Sequence, residues 1–239
     1  MEYKIVHIEE TDSTNRWLKA HGEGKMVVVA DYQTAGKGCG TNSWESERGK
    51  NLTFSMLIHP TTIPACQQFR ITEVISVAIC EVLEQYIGDV SIKWPNDIYV
   101  GDKKICGILI ENMLKGEYIR HCIIGIGLNI NQKRFVSDAP NPTSMALESG
   151  HDFDREEVLQ SLLRHFEQLL AVWDEEAIRK AYRQRLYRKE GMFPYRDKEG
   201  DFTASLVDVE DDGHLVLQDA QGQQRRYAFK EVTFVIEKT

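Results

Sequence analysis

Four short β-rich runs, residues 90–93, 98–100, 105–110 and 119–126, are separated only by the turn pairs Asn96-Asp97, Gly101-Asp102 and Lys115-Gly116. Connections this short cannot hold a crossover helix, so consecutive strands must run antiparallel as a meander. Such a sheet needs an apolar cover on one face. Just upstream, Ile71, Val74, Ile75, Ala78, Ile79, Val82, Leu83, Tyr86 and Ile87 recur at spacings of three and four. That pattern predicts a core-facing helix over 71–87, closed by Gly88 as a left-handed C′ residue.

The flanking segments extend this α+β plan. Residues 3–8 alternate as a strand. Asp12 and Ser13 offer N-caps for a short helix through Trp17 and Leu18 that ends before Gly22. Residues 26–30 and 52–58 read as buried strands. A helix opens at Asp154 with Glu157 in capping-box position and carries Val158, Leu159, Leu162, Leu163, Phe166, Leu170 and Trp173 on one face; a second runs over about 174–187. Beyond Gly191 the period changes. Runs at 202–209, 215–218, 226–229 and 232–236, joined by Asp-Gly and Gln-Gly turns, predict a small β-barrel. The expected division is therefore residues 1–188 and 189–239.

With 239 residues, 42% of them hydrophobic, the chain can bury a sizeable core. It has no apolar run of about 18 residues, as a membrane span requires, and its start lacks the pattern of a signal peptide; a cytoplasmic protein is expected. Five cysteines without a C-x-x-C pair argue against a disulfide framework and a zinc site. Cys66, Cys80, Cys106 and Cys122 are expected to be buried and Cys39 exposed. A net charge of −8 with no basic block gives no footprint for nucleic acid.

Chemistry concentrates in two places. The segment 31–44 carries Gly36, Gly38 and Gly40 around Lys37 and ends at Trp44. Glycines at spacing two can adopt positive φ and turn successive N–H groups inward as an anion nest, with Lys37 adding a full charge. A flexible surface loop is the alternative reading. The segment fits neither the P-loop nor the G-x-G-x-x-G fingerprint. The second place is Lys93-Trp94-Pro95-Asn96-Asp97, followed by Lys104. A hairpin returning through Gly101 and Asp102 would bring Lys93, Asp97 and Lys104 together, where a hairpin with merely charged ends is the competing reading.

In chain order these motifs resemble the biotin protein ligases: Ser13-Thr14-Asn15, Gln33 through Gly38 with Trp44, Asn51-Leu52, the 93–97 block, residues 104–111, residues 125–129 and Thr143-Ser144. The resemblance covers nearly the whole chain. It implies a mixed β-sheet flanked by helices, related to class II aminoacyl-tRNA synthetases, followed by an SH3-like β-barrel. It implies biotin, ATP and Mg²⁺ as ligands and a biotin carboxyl carrier domain as acceptor; a homodimer through the sheet stays open. On this resemblance Lys104 bridges the biotin carboxylate and the α-phosphate, and Lys37 with Gly36, Gly38 and Cys39 serves the phosphates. Lys93, Asn96 and Asp97 complete the phosphate end, with Asp97 as the Mg²⁺ ligand. Trp44 lies on adenine or on the closed loop, and Asn129 near the nucleotide. Ser13, Thr14, Asn15 and Gln33 suit the ureido ring, Ile108 to Ile110 wall the valeryl chain, and Gly107 beside them is a further ligand-binding position. Lipoate or octanoate ligases share the core fold, but the loop, the 93–97 block and the C-terminal strands favour biotin. A non-catalytic biotin-binding protein is the other rival.

Two departures stand out. Ser13 lies a dozen residues from Met1, so the helix-turn-helix of bifunctional members, and repression with it, is not expected. Cys39 and Thr41 stand where the family loop commonly has arginine and glycine. A weaker hold on the adenylate is expected unless Lys37 or Arg48 supplies the charge.

Overall fold

The computed structural model describes residues 3–40, 42–136 and 141–237, so Thr41 lies outside the described residues. The strands of the larger sheet are β1 (Lys4–Thr11), β2 (Met26–Gln33), β3 (Leu52–Ile58), β4 (Val90–Lys93), β5 (Asp97–Val100), β6 (Lys103–Lys115) and β7 (Tyr118–Leu128), and its seven strands run in the order β1-β2-β3-β7-β6-β5-β4. From β4 to β7 every neighbour is antiparallel, which is the expected meander. Only β1 and β2 pair in parallel, joined through α1 (Thr14–His21), and this makes the sheet mixed.

Alternation along each strand separates two layers. Val27, Val29, Phe54 and Met56 join the larger core, which α2 (Phe69–Leu83), α4 (Arg155–Val172) and α5 (Glu175–Gln184) cover. Met26, Val28, Leu57 and Ile123 pack instead with Leu18 of α1. A short α3 (Met145–Ser149) follows β7. Asp154 caps α4 by accepting from the N–H groups of Glu156 and Glu157, at 2.7 and 3.3 Å. None of the described helices is long and apolar enough to cross a membrane.

The C-terminal residues form a second, five-stranded antiparallel sheet: β8 (Phe193–Asp197), β9 (Gly200–Val209), β10 (Leu215–Asp219), β11 (Gln224–Tyr227) and β12 (Thr233–Phe234), in the order β11-β10-β9-β8-β12. This is consistent with an SH3-like module. Sequence patterning missed β8, because Pro194, Arg196 and Asp197 mask its period; Pro194 still serves the sheet by accepting from the Val235 N–H at 3.1 Å.

Three further expectations need correction. The long helix ends at Leu83 rather than Ile87, and the left-handed residue after it is Asp89 (φ 56°), not Gly88; a short polar side chain tolerates that conformation. The last helix stops at Gln184 because the chain leaves it to pair with the β4 edge, where the Ile92 N–H donates to the Arg185 carbonyl at 2.7 Å and Tyr187 N–H to the Ile92 carbonyl at 2.9 Å. Cys66 is exposed, placed outward by the short turn Ala65–Gln67, whereas Cys80, Cys106 and Cys122 are buried and Cys39 is half-buried.

Candidate active site

A cavity of about 320 Å³ opens on the α1 side of the sheet between the β2–β3 loop, the β4–β5 turn and the C-terminal module. Its floor is set by register. Gly107 and Gly127 face each other across β6 and β7, and Gly125 faces Leu109. A methyl group on Gly127 would lie 2.3 Å from Trp44 Cε2, and one on Gly107 would lie 3.0 Å from Trp44 Cζ3. The indole therefore rests on a bed that only glycine provides, and its Nε1 is buried without a partner.

Gly125 leaves the corresponding space for Asn15, whose Nδ2 donates to Glu111 at 2.8 Å and to the Leu109 carbonyl at 3.4 Å. The Ser55 hydroxyl lies 2.6 Å from Asn15 Oδ1 and 2.7 Å from Thr14 Oγ1, while Gln33 Oε1 accepts from both the N–H and the hydroxyl of Thr14, at 2.7 and 3.0 Å. Ser13, Thr14 and Gln33 thus line one end of the cavity as a fixed polar wall. Ser13 sits at the N-cap position of α1, yet its hydroxyl makes no cap bond. Asn15 stands behind this wall and does not line the cavity. Ile108 and Leu109 line it too, but Ile110 belongs to a neighbouring groove.

The expected convergence of Lys104, Asp97 and Lys93 is present. Lys104 Nζ lies 2.7 Å from Asp97 Oδ1. Lys93 is directly opposite Asp97 in the β4–β5 pairing. Its ammonium sits over the rings of Phe234 (4.9 Å) and Tyr99 (5.5 Å). Burial pushes the Lys93 pKa down, and the Asp97 charge opposes that shift. The backbone of Lys104 is clamped on its outer side: its N–H donates to the Asn141 carbonyl (2.8 Å) and its carbonyl accepts from Thr143 N–H (2.9 Å).

Asn129 stands one step back from the cavity lining: its Nδ2 donates to the Thr143 carbonyl at 2.8 Å and so braces the segment that clamps Lys104, while its Oδ1 is buried without a partner. The glycine loop is a correction to the expected set. Only Gly40 has positive φ (72°), and the Gly38 N–H is consumed by the Asn42 carbonyl at 2.8 Å, so the loop is a small hairpin rather than a nest. Gly36 does not line the cavity; it is needed because a methyl there would meet the Trp44 carbonyl at 2.8 Å and Gln33 Nε2 at 3.0 Å. Asn96 ties the loop down, donating to the Ile108 carbonyl at 2.6 Å and to Cys39 Sγ at 2.9 Å. Burial and the Asp97 charge raise the Cys39 pKa, which keeps it a thiol. Arg48 turns away to Glu10 and the Tyr32 ring, so it supplies no charge beside Cys39.

Sequence reasoning passed over Thr53, Ser55 and the C-terminal residues Phe229, Lys230, Val232, Thr233 and Phe234, all but Ser55 in the cavity lining. The signal for the first two was readable, since Thr53 and Ser55 are alternate polar positions in an otherwise apolar buried strand. The C-terminal set gave none. Asp97 is the one carboxylate in the lining, against four lysines: Lys37, Lys93, Lys104 and Lys230. Among the described residues the only trio of metal-binding side chains is Glu210, Asp212 and His214 on the C-terminal sheet, and Arg226 already pairs with both acids there.

The comparisons agree with this geometry. The biotin protein ligase from Aquifex aeolicus, solved with biotin and ATP, superposes with a TM-score of 0.81 at 26% identity, covering 98% of this chain and 99% of that one. The bifunctional ligase/repressor BirA of Bacillus spizizenii is 31% identical over 84% of this chain, which spans only 64% of that protein's length. The biotin–[acetyl-CoA-carboxylase] ligase of Paracoccus denitrificans is 29% identical over 91% of this chain and 95% of its own. The model of the Biotin/lipoate A/B protein ligase family matches residues 7–129, more than half of the sequence, and the chain belongs to that family.

Proposed function

We propose that the protein is an ATP-dependent biotin–protein ligase: it forms biotinoyl-5′-AMP from biotin and ATP and transfers the biotinoyl group to a lysine of a biotin carboxyl carrier domain. The observation that carries this reading is four lysines and one aspartate around a single cavity in a chain of net charge −8. Among the described residues only Lys104 of the four has a carboxylate within ion-pair distance. Unmatched, preorganised cations suit reactions that build negative charge on phosphate oxygens.

In this reading Ser13, Thr14 and Gln33 present hydrogen-bonding groups to the ureido ring, and Ile108 and Leu109 line the valeryl chain. Lys104 then holds the biotin carboxylate against the α-phosphate, where a carboxylate oxygen forms the new P–O bond as pyrophosphate leaves. Lys37 and Lys93 draw on the departing phosphates. In the second step the acceptor amine attacks the acyl carbon and AMP departs. Mg²⁺ is commonly held by one or two carboxylates together with substrate phosphates, and the single Asp97 carboxylate fits that pattern; the ion would neutralise charge on the phosphate oxygens. We assign residues 1–188 to the ligand-binding domain and 189–239 to a C-terminal module that closes one side of the cavity. We place the protein in the cytoplasm, and a homodimer would form through the edge strand β1.

Incubating the protein with biotin, Mg-ATP and a carrier domain tests this. The expected result is a mass gain of one biotinoyl group on the carrier, with pyrophosphate released; lipoate in place of biotin giving the larger yield would move the reading to the other branch of the family.

A further inference from the structure

The fourth lysine of the cavity comes from outside the large sheet. Lys230 lies between β11 and β12, more than a hundred residues beyond the other three, and its ammonium reaches back across the cavity mouth to the glycine loop. A methyl group on Gly40 would lie 2.2 Å from Lys230 Nζ, so the side chain is seated against bare backbone. Its charge is felt at Cys39, where it acts with Lys104 against the rise in the thiol's pKa. Lys230 also holds a left-handed backbone (φ 72°), uncommon for a residue with a long side chain. Such conformations persist where surrounding structure holds them, as the turn bonds from Ala228 N–H to Glu231 and from Glu231 N–H to the Ala228 carbonyl do here. No carboxylate among the described residues lies within ion-pair distance of Lys230, on a chain that otherwise matches many of its cations.

We propose that Lys230 is a phosphate-binding residue of this site, through which the C-terminal module grips the nucleotide and the adenylate at the glycine loop. This deepens the ligase reading and rests on it. Lys37, at the other side of the same loop, and Lys230 then face one anion from two modules. Ligand binding would draw the module onto the loop. Cys39, lying between them with only a thiol, leaves that position without a charge of its own, and Lys230 supplies it.

The test uses the full chain with Lys230→Ala, Lys230→Gln and Lys230→Arg, measured by biotin-dependent pyrophosphate release. Loss of one charge-assisted contact raises the KM for ATP about tenfold or more in the Ala and Gln variants, leaves the KM for biotin within about twofold, and is largely restored by Arg. Adding Cys39→Arg to Lys230→Ala should recover most of the lost ATP affinity. If the parent enzyme releases pyrophosphate but the Ala and Gln variants keep its KM for ATP, Lys230 does not bind phosphate. An equal rise in both KM values, or a fall in melting temperature that accounts for the loss, would give Lys230 a purely structural role and overturn the proposal. A parent that releases no pyrophosphate with biotin and Mg-ATP overturns the ligase reading itself.

Discussion

At the cavity, Lys37, Lys93, Lys104 and Lys230 share the single carboxylate of Asp97; behind the sheet, Arg70, Arg179 and Arg183 surround buried Glu73, and each of those arginines also holds an acid of its own. Arg70 pairs with Glu175, Arg179 with Asp211 at 2.7 Å and Arg183 with Asp208 at 2.7 Å. Both clusters are rich in cations. The rear one is matched acid for base and serves to fasten α5 and the C-terminal sheet to α2. The front one leaves positive charge uncompensated in a concave site, where field lines concentrate and an anion gains most. A cluster of basic residues marks a site by its surplus, not by its size.

The sharpest way to break this contrast is to remove a cation from each side. Lys104→Ala is expected to slow adenylate formation about a hundred- to thousandfold, the usual loss for one preorganised charge at a developing anion. The fold should survive, because Ile105, Cys106 and Ile108 supply the packing of that strand. Pyrophosphate release within about threefold of the parent would remove Lys104 from its role. Removing Arg183 should instead lower stability and leave the ATP dependence alone.

The acid of the rear cluster gives a second test. Glu73 is 4% exposed, and burial raises its pKa from 4.5 to about 7 despite the nearby Arg179, Arg183 and Arg70; Asp211 reinforces the rise, and the Tyr182 hydroxyl faces it from α5. The folded protein therefore keeps a proton that the unfolded chain releases above pH 4.5. Stability should fall as pH rises from about 4.5 through 7 and then level off, with a loss of at most about 3 kcal/mol. Glu73→Gln removes that slope, so urea unfolding should show the variant gaining on the parent toward pH 8. Parallel pH profiles for the two proteins would mean that the arginines already hold Glu73 ionised.

Much of this architecture was legible because periodicity and turn chemistry agree: the meander from β4 to β7 needs only short turns and apolar runs, and the same hairpin geometry brings Lys104 to Asp97. What sequence could not supply was distance along the chain. Lys230 joins the site only because the C-terminal sheet folds back onto the β2–β3 loop, and no local pattern in residues 226–234 encodes that return. The Gly36 motif points to a ligand contact, whereas the space beside Gly36 seats Trp44; Asn129 braces Lys104 through its Nδ2 and keeps its Oδ1 unpartnered. The nest reading of the loop failed for a related reason. Glycine permits positive φ without requiring it, and here two of the three glycines serve close approach instead.

Two glycines on the same floor separate the rigid half of the front site from its adjustable half. In Gly125→Ala the new methyl would meet Asn15 Oδ1 at 2.3 Å, and Asn15 is held by Ser55, Glu111 and the Leu109 carbonyl, so it cannot step aside. The cost should appear in stability, about 1–3 kcal/mol as for other overpacked positions, read as a lower urea midpoint. In Gly127→Ala the clash is with the Trp44 ring, also at 2.3 Å, but that ring hangs from a loop with few buried contacts, and such loops sit at the low-stability end of a domain. The ring should swing off its bed, leaving the urea midpoint nearly unchanged. Indole fluorescence should shift, and protection of the 34–47 segment from protease by biotin and ATP should weaken. The parent should show that protection clearly. If Gly127→Ala instead unfolds as readily as Gly125→Ala while its loop stays protected, Trp44 is part of the rigid floor, and the loop closes as one piece with the sheet.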